Sequence, residues 1–161
     1  MNWNCLWAPW RMEFIQNSDK DGGCFLCSAS ESSDDRARFV VHRAEHAICL
    51  MNRYPYNNGH LLIAPLRHEG AMECLSEAEV ADMFGLLIGA KKALDAACKP
   101  HGYNVGANLG KAAGAGLEKH FHLHIVPRWQ GDTNFAATIG ETKVIPQALE
   151  ETWELLRKHW A

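Results

Sequence analysis

Three histidines alternate with apolar residues in the run His120-Phe121-His122-Leu123-His124-Ile125-Val126-Pro127. Successive side chains of a β-strand point to opposite faces, so this spacing sets the three imidazoles on one face and leaves Phe121, Leu123 and Ile125 for a core on the other. Imidazole titrates near neutrality. Such a row can therefore offer phosphorus an attacking nitrogen while a neighbouring ring stabilises charge or protonates a leaving oxygen. The gain is that one displacement becomes two, through a phosphohistidine-type intermediate.

A metal centre is the rival reading. At about 3.3 Å of rise per residue, His120 and His124 stand roughly 13 Å apart along a strand, whereas a Zn–N bond spans about 2 Å. Two neighbouring histidines at most can share an ion, which leaves at least one for other work. The bland alternative is a face of core or solvated histidines. Gly114-Ala115-Gly116 alone describes a hairpin turn, but beside His122 and His124 it suggests backbone N–H groups cradling a phosphate. Cys24-Phe25-Leu26-Cys27 is open to three readings: metal ligands, a redox pair, or two cysteines of a loop. Trp129, just past the histidines, is a candidate to stack on a base.

The elements that must position these groups read as follows. Residues 1–15 are aromatic-rich with Pro9 and read as an arm, and residues 16–38 as loop or short helix held by something other than their own hydrophobicity. Phe39-Val40-Val41, Ala47–Met51 and Leu61–Ala64 are strand candidates, the last following the turn Asn57-Asn58-Gly59. Ser76 and Glu79 form a capping-box pattern that opens a helix to about Lys99, stopped by Pro100. Its stripe of Val80, Met83, Phe84, Leu87, Ile88, Lys91 and Leu94 reads as core packing. Tyr103–Leu109 reads as a strand beside the histidine strand, and Pro146 starts a second helix through Leu149, Trp153, Leu156 and Trp160.

The 161 residues fit a single α+β domain. A 47% apolar and 22% charged composition is that of an ordinary globular chain. A net charge of −3 gives no broad basic field for a nucleic-acid polymer or an anionic membrane, although a local site could hold a nucleotide. The N-terminal residues lack the pattern of a secretory signal, and no apolar run approaches a membrane span. A cytoplasmic, reducing setting is expected, with the six cysteines as free thiols or metal ligands.

The chain resembles the histidine triad (HIT) superfamily, defined by His-φ-His-φ-His-φ-φ, over most of its length. Asn52-Arg53-Tyr54-Pro55-Tyr56-Asn57-Asn58-Gly59-His60-Leu61-Leu62-Ile63-Ala64-Pro65 resembles the family's upstream strand-turn-strand segment. Trp7-Ala8-Pro9-Trp10-Arg11 and Pro127-Arg128-Trp129 resemble the branch of diadenosine polyphosphate phosphorylases and hydrolases. The resemblance implies a HIT-like fold: an antiparallel sheet of about five strands with a long helix and a C-terminal helix. The single domain would divide into an N-terminal arm and zinc loop (1–38), a core (39–130) and a helical extension (131–161).

It also implies roles. His122 would attack the α-phosphate of a nucleotide to give a nucleotidyl-histidine, and His124 would contact the phosphate and leaving group. Asn52 matches the position that holds the ribose, while Asn108 with the Gly114 and Gly116 backbone would line the phosphates. His60 would support the triad or serve as a structural histidine. Cys24, Cys27, His68 and His120 match the ligands of zinc-bearing relatives. A closed Cys₂His₂ set of that kind is structural rather than catalytic. Cys49, Cys74 and Cys98 read as buried small hydrophobes. A two-fold dimer through the long helix and adjoining strand is implied as well.

One departure bears on the reaction. Many HIT hydrolases carry Gln and Ser shortly before the triad, and this chain has Gly116-Leu117-Glu118-Lys119, which leaves room for phosphate rather than water as acceptor. The expected function is phosphoanhydride hydrolysis or nucleotidyl transfer on a diadenosine polyphosphate or related adenosine nucleotide. The rivals are a zinc-stabilised nucleotide-binding or interaction module and a catalytic metal centre.

Overall fold

A computed structural model of the chain describes residues 23–133 and 145–160. The arm expected over residues 1–15 lies outside them. Strands β1 (Val40–Arg43), β2 (Ala47–Met51), β3 (Leu61–Pro65), β4 (Gly102–Gly106) and β5 (Leu123–Arg128) form one antiparallel sheet in the order β1-β2-β3-β5-β4. Among the described residues, four α-helices accompany it: α1 (Phe25–Glu31), α2 (Asp35–Arg38), α3 (Glu77–Cys98) and α4 (Leu149–His159).

The central strands are buried at every position because the sheet is covered on both faces. Ala47, Cys49, Met51, Leu61, Ile63 and Ile125 face one side, against Met83, Leu86, Ala90, Ala93 and Leu94 of α3 and Leu156 of α4. Ile48, Leu50, Leu62 and Ala64 face the other, against Leu26 and Ala29 of α1. His124 pairs with Leu62, so the histidine face is the α1 face. Gly59 turns the chain into β3 at φ +73°, where a Cβ would stand 2.9 Å from Leu94.

Helix α3 begins as its capping box predicts, with Ser76 and Glu79 bonded reciprocally, and ends at Lys99 in the left-handed conformation before Pro100. Its stripe corrects the sequence reading. Met83 and Leu94 enter the core with Leu86, but Val80, Phe84 and Ile88 are 40%, 56% and 56% exposed. The sheet touches only one side of a broad apolar surface. The strand expected over Tyr103–Leu109 stops at Gly106, because its ladder ends where Gly106 meets His124 at the start of β5. Residues 107–110 leave the sheet toward the triad.

The two sheet edges differ. Trp153 Nε1–H donates to the Val40 carbonyl at 2.8 Å and Arg157 to that of Val41 at 3.1 Å, so α4 caps the outer edge of β1. On β4, Asn104, Val105 and Gly106 are exposed. Trp160 packs over Gly89 in the middle of α3, where a Cβ would lie 2.9 Å from the indole.

Two predictions follow from α3. Gly89→Ala lowers the melting temperature despite alanine's better helix propensity, whereas Gly85→Ala, with open space at its Cβ, raises stability by up to about 1 kcal/mol. Paired thermal denaturations read the opposite signs. Glu79, bonded to Arg67 and to the Ser76 N–H, has its carboxyl held down to about 2. That stabilisation is present above the ordinary carboxylate pKa near 4.3 and is lost as pH falls toward about 2. Glu79→Gln therefore destabilises the protein at pH 7, and the gap from wild type closes between pH 4.5 and 2.

Candidate functional site

Cys24 caps α1 and Cys27 lies in its first turn, a spacing of three that sets both thiols on one side of the helix. His68 follows β3 and His120 precedes β5. Cys24 Sγ lies 3.2 Å from His120 Nδ1, Cys27 Sγ 3.1 Å from His68 Nδ1, and Cys27 Sγ 3.5 Å from His120 Nδ1. All four ligand atoms lie within 4.8 Å of one another. Tetrahedral Zn–N and Zn–S bonds of 2.0–2.3 Å require ligand separations of about 3.3–3.8 Å, so the set fits such an ion with small adjustment.

The surroundings support that fit. His120 is fully buried, and its Nε2–H donates to the Pro65 carbonyl at 2.9 Å, which turns the Nδ1 lone pair toward the thiols. Burial, together with the adjacent Cys24, pushes the Cys27 thiol up to about 11. A metal would therefore displace protons as it binds. Arg67 ties the His68 loop to Glu69, to Glu79 and to the Cys74 carbonyl.

The sequence places all three triad histidines on a strand, but β5 begins at Leu123. His120 and His122 lie on its approach, where the Phe121 N–H donates to the Glu69 carbonyl at 2.6 Å. Side-chain alternation survives: Phe121 and Ile125 are in the core, with Leu123 packed against it. His122 Nδ1–H donates to the His120 carbonyl at 2.9 Å, which leaves the lone pair of the neutral ring on Nε2. Burial lowers its pKa and favours that neutral, nucleophilic form.

His124 stands 4.9 Å from His122, ring centre to ring centre, and its Nδ1 is 2.9 Å from Nε2 of His60. His60 is fully buried, and burial with the neighbouring His124 and His122 holds its pKa down to about 3. Of the two roles considered for His60, the geometry favours support of the triad.

A cleft beside His122 is lined by Gly70, Met72, Glu73, Asn108, Gly110 and Glu118, among others. Asn108 is thus beside the triad. Gly114 closes a short 3₁₀ turn at φ +86°, and neither it nor Gly116 is among the cleft's lining residues; Gly110 is. Asn52 lies against His60, its Nδ2 3.3 Å from His60 Nδ1 and its Oδ1 accepting from the Tyr54 N–H at 2.9 Å. Trp129 follows the far end of β5, seven residues from His122 or roughly 23 Å by strand rise. The structure does not bring it to the triad.

Cys49 is fully buried, while Cys74 is exposed on its 3₁₀ turn and Cys98 half-buried, so the reading of all three as core residues holds for Cys49 alone. The residue missed in the sequence is Tyr56. Its ring stacks on His124 at 5.7 Å and its N–H donates to His60 Nδ1 at 3.1 Å. The signal was the turn Pro55-Tyr56-Asn57-Asn58-Gly59, which ends one residue before His60.

The division of the histidines is testable. His122→Ala retains the bound metal and the melting temperature of the parent while turnover falls by about 10³-fold or more. Cys24→Ala with Cys27→Ala loses the metal and melts earlier. Metal analysis and thermal denaturation of the purified variants read both, and a metal-free double variant of undiminished stability would instead favour a catalytic ion.

The HIT domain family model matches residues 34–131. An AP-4-A phosphorylase of Mycobacterium tuberculosis is 38% identical over 97% of this chain and 84% of its own length. Among solved structures, a Zn-bound histidine triad family protein from Mycobacterium smegmatis superposes with a TM-score of 0.67 at 24% identity, over 86% of this chain and 93% of that one. The diadenosine triphosphate hydrolase of Plasmodium falciparum superposes with a TM-score of 0.56 at 21% identity, over 78% and 76%. Sheet order, triad and matched length agree: the chain belongs to the histidine triad (HIT) family.

Proposed function

We propose that the protein cleaves a diadenosine polyphosphate through a nucleotidyl-histidine on His122 and passes the nucleotidyl group to inorganic phosphate. The observation that carries this is the fixed tautomer of His122, whose Nδ1–H is spent on the His120 carbonyl while its Nε2 holds the lone pair beside a cleft. With diadenosine tetraphosphate, Nε2 bonds to the α-phosphorus as the bridge oxygen to the β-phosphate leaves with ATP. A phosphate oxygen then attacks the same phosphorus, the P–N bond breaks, and ADP departs.

Three further assignments belong to this reading. Asn108 and the Gly110 backbone, which line the cleft, hold phosphates, Asn52 meets the ribose, and Trp129 stacks on a base from the far end of β5. Cys24, Cys27, His68 and His120 hold a structural zinc, which supplies a cross-link between the loops rather than chemistry. The choice of phosphate is supported by the 38% identical phosphorylase and by Gly116-Leu117-Glu118-Lys119 in place of the hydrolase Gln and Ser.

Two copies pair through the β4 edge, exposed from Asn104 to Gly106, and through Val80, Phe84 and Ile88 of α3, which are exposed apolar side chains of the kind a second copy would cover. Among the described residues, no helix is long and apolar enough to cross a membrane. Thiolate ligands suit a reducing compartment, which supports a cytoplasmic setting.

Incubation with diadenosine tetraphosphate, with and without inorganic phosphate, tests the function. ADP and ATP appearing only with phosphate is the expected result. ATP with AMP regardless of phosphate identifies a hydrolase, and binding without products identifies a nucleotide-binding module.

A further inference from the structure

Cys24 and Cys27 put two thiols beside two imidazoles, and both thiols are only half-buried. Their sulfurs belong to a set of ligand atoms that all lie within 4.8 Å of one another. Helical positions three apart hold their Cβ atoms about 5–6 Å apart, whereas a disulfide takes about 3.5–4.5 Å. Rotation at Cys24 closes that gap. It precedes the helix in extended conformation, with no side-chain capping bond that the rotation would cost.

The two thiols differ in access. Cys24 Sγ faces the fully buried His120, while Cys27 Sγ lies 3.1 Å from Nδ1 of the exposed His68. A small oxidant therefore meets Cys27 first. Helix α1 does not depend on either thiol for its seat: Leu26 and Ala29 pack against Ile48, Leu50, Leu62 and Ala64. Arg43 holds its far end, donating to the carbonyls of Ala29, Ser30 and Ser32 at 2.8 Å each. A change confined to Cys24 and Cys27 thus alters the link from α1 to the two histidines and leaves the helix in place.

We infer that Cys24 and Cys27 are a reversible oxidation site for hydrogen peroxide, at which disulfide formation gives up the structural metal proposed above and loosens His120. The Cys27 thiolate attacks one peroxide oxygen, the O–O bond breaks, and a Cys27 sulfenic acid and hydroxide result. The Cys24 thiolate then attacks that sulfur, the S–O bond breaks, and a second hydroxide leaves as the S–S bond forms. Two thiolates have lost two electrons, and the peroxide has become two hydroxides that are protonated to water. The thiolate is the metal-binding form of cysteine, so the disulfide no longer ligates.

His68 and His120 then lose their connection to α1. His120 keeps its bond to the Pro65 carbonyl and Phe121 its bond to the Glu69 carbonyl, so the segment carrying His122 is loosened rather than freed. The effect on turnover rests on the function and the zinc proposed above. The disulfide rests on the placement of the thiols alone.

Zinc-loaded, full-length protein is treated with increasing hydrogen peroxide, with Cys74→Ser in parallel to remove the exposed thiol. Zinc release is read with a chromophoric chelator, and disulfides are mapped by peptide mass spectrometry. The expected result is a Cys24–Cys27 disulfide that appears in step with zinc release, in both proteins. Turnover of diadenosine tetraphosphate falls by about 10-fold and returns with dithiothreitol and zinc. Retention of zinc at peroxide levels that already oxidise Cys74 would overturn the site. So would a disulfide from Cys24 or Cys27 to any other cysteine, or a sulfinic acid in place of the disulfide. Zinc release with the expected disulfide but unchanged turnover would overturn the loosening of His120. A protein that responds in this way and turns over no nucleotide would sink the proposed activity and leave the oxidation site standing.

Discussion

The hydrogen bond from His122 Nδ1–H to the His120 carbonyl joins two halves of the molecule that have different work. On one side of that bond, the His120 imidazole reaches Cys24, Cys27 and the neighbourhood of His68, and is steadied by the Pro65 carbonyl. On the other, the His122 ring acquires a defined tautomer. A backbone carbonyl is as firmly placed as the residue that carries it. Fixing the His120 side chain therefore also fixes the His122 ring, whose Nε2 is the nucleophile proposed above. The convergence of α1, the His68 loop and the approach to β5 on one point serves that single bond.

The sheet explains why this arrangement can be built on so short a strand. β3 and β5 pair only over Leu61–Ile63 and Leu123–Ile125, and the ladder then gives out on the side where the chemistry lies. Beyond it the Glu69 carbonyl takes over the Phe121 N–H, so the approach to the strand keeps strand-like alternation without a neighbouring strand. Apolar burial holds Phe121 from below, and the three imidazoles are left on the α1 face. His120 and His122 are thus positioned by individual contacts, whereas His124 is positioned by the sheet.

Much of this was legible in the sequence because it depends on spacing. Alternation predicts which residues of 120–125 are buried, the Ser76/Glu79 pair marks the start of α3, and family spacing brings Cys24, Cys27, His68 and His120 together as the structure does. What was not legible depends on which neighbour covers a surface. The exposed Phe84 and Ile88 fit a core stripe as well as they fit an open face, and only the position of the sheet separates the two. Gly114 and Gly116 have the right composition for a cradle, yet Gly110 is the glycine at the cleft, since the 3₁₀ turn carries the later ones away. Tyr56 escaped because its part is played by a backbone N–H, and that signal is conformational.

The central claim is that the triad is divided, with one histidine for the scaffold and the middle one for the covalent step. Its most direct test is to mix the enzyme with α-phosphate-labelled diadenosine tetraphosphate in the absence of inorganic phosphate, quench in alkali, and map the label by peptide mass spectrometry. The account predicts one adenylyl group per chain, alkali-stable and acid-labile, on the peptide bearing the triad and assigned to His122. Label on His124 or His120, or turnover of the substrate with no label on the protein at any time, would contradict it.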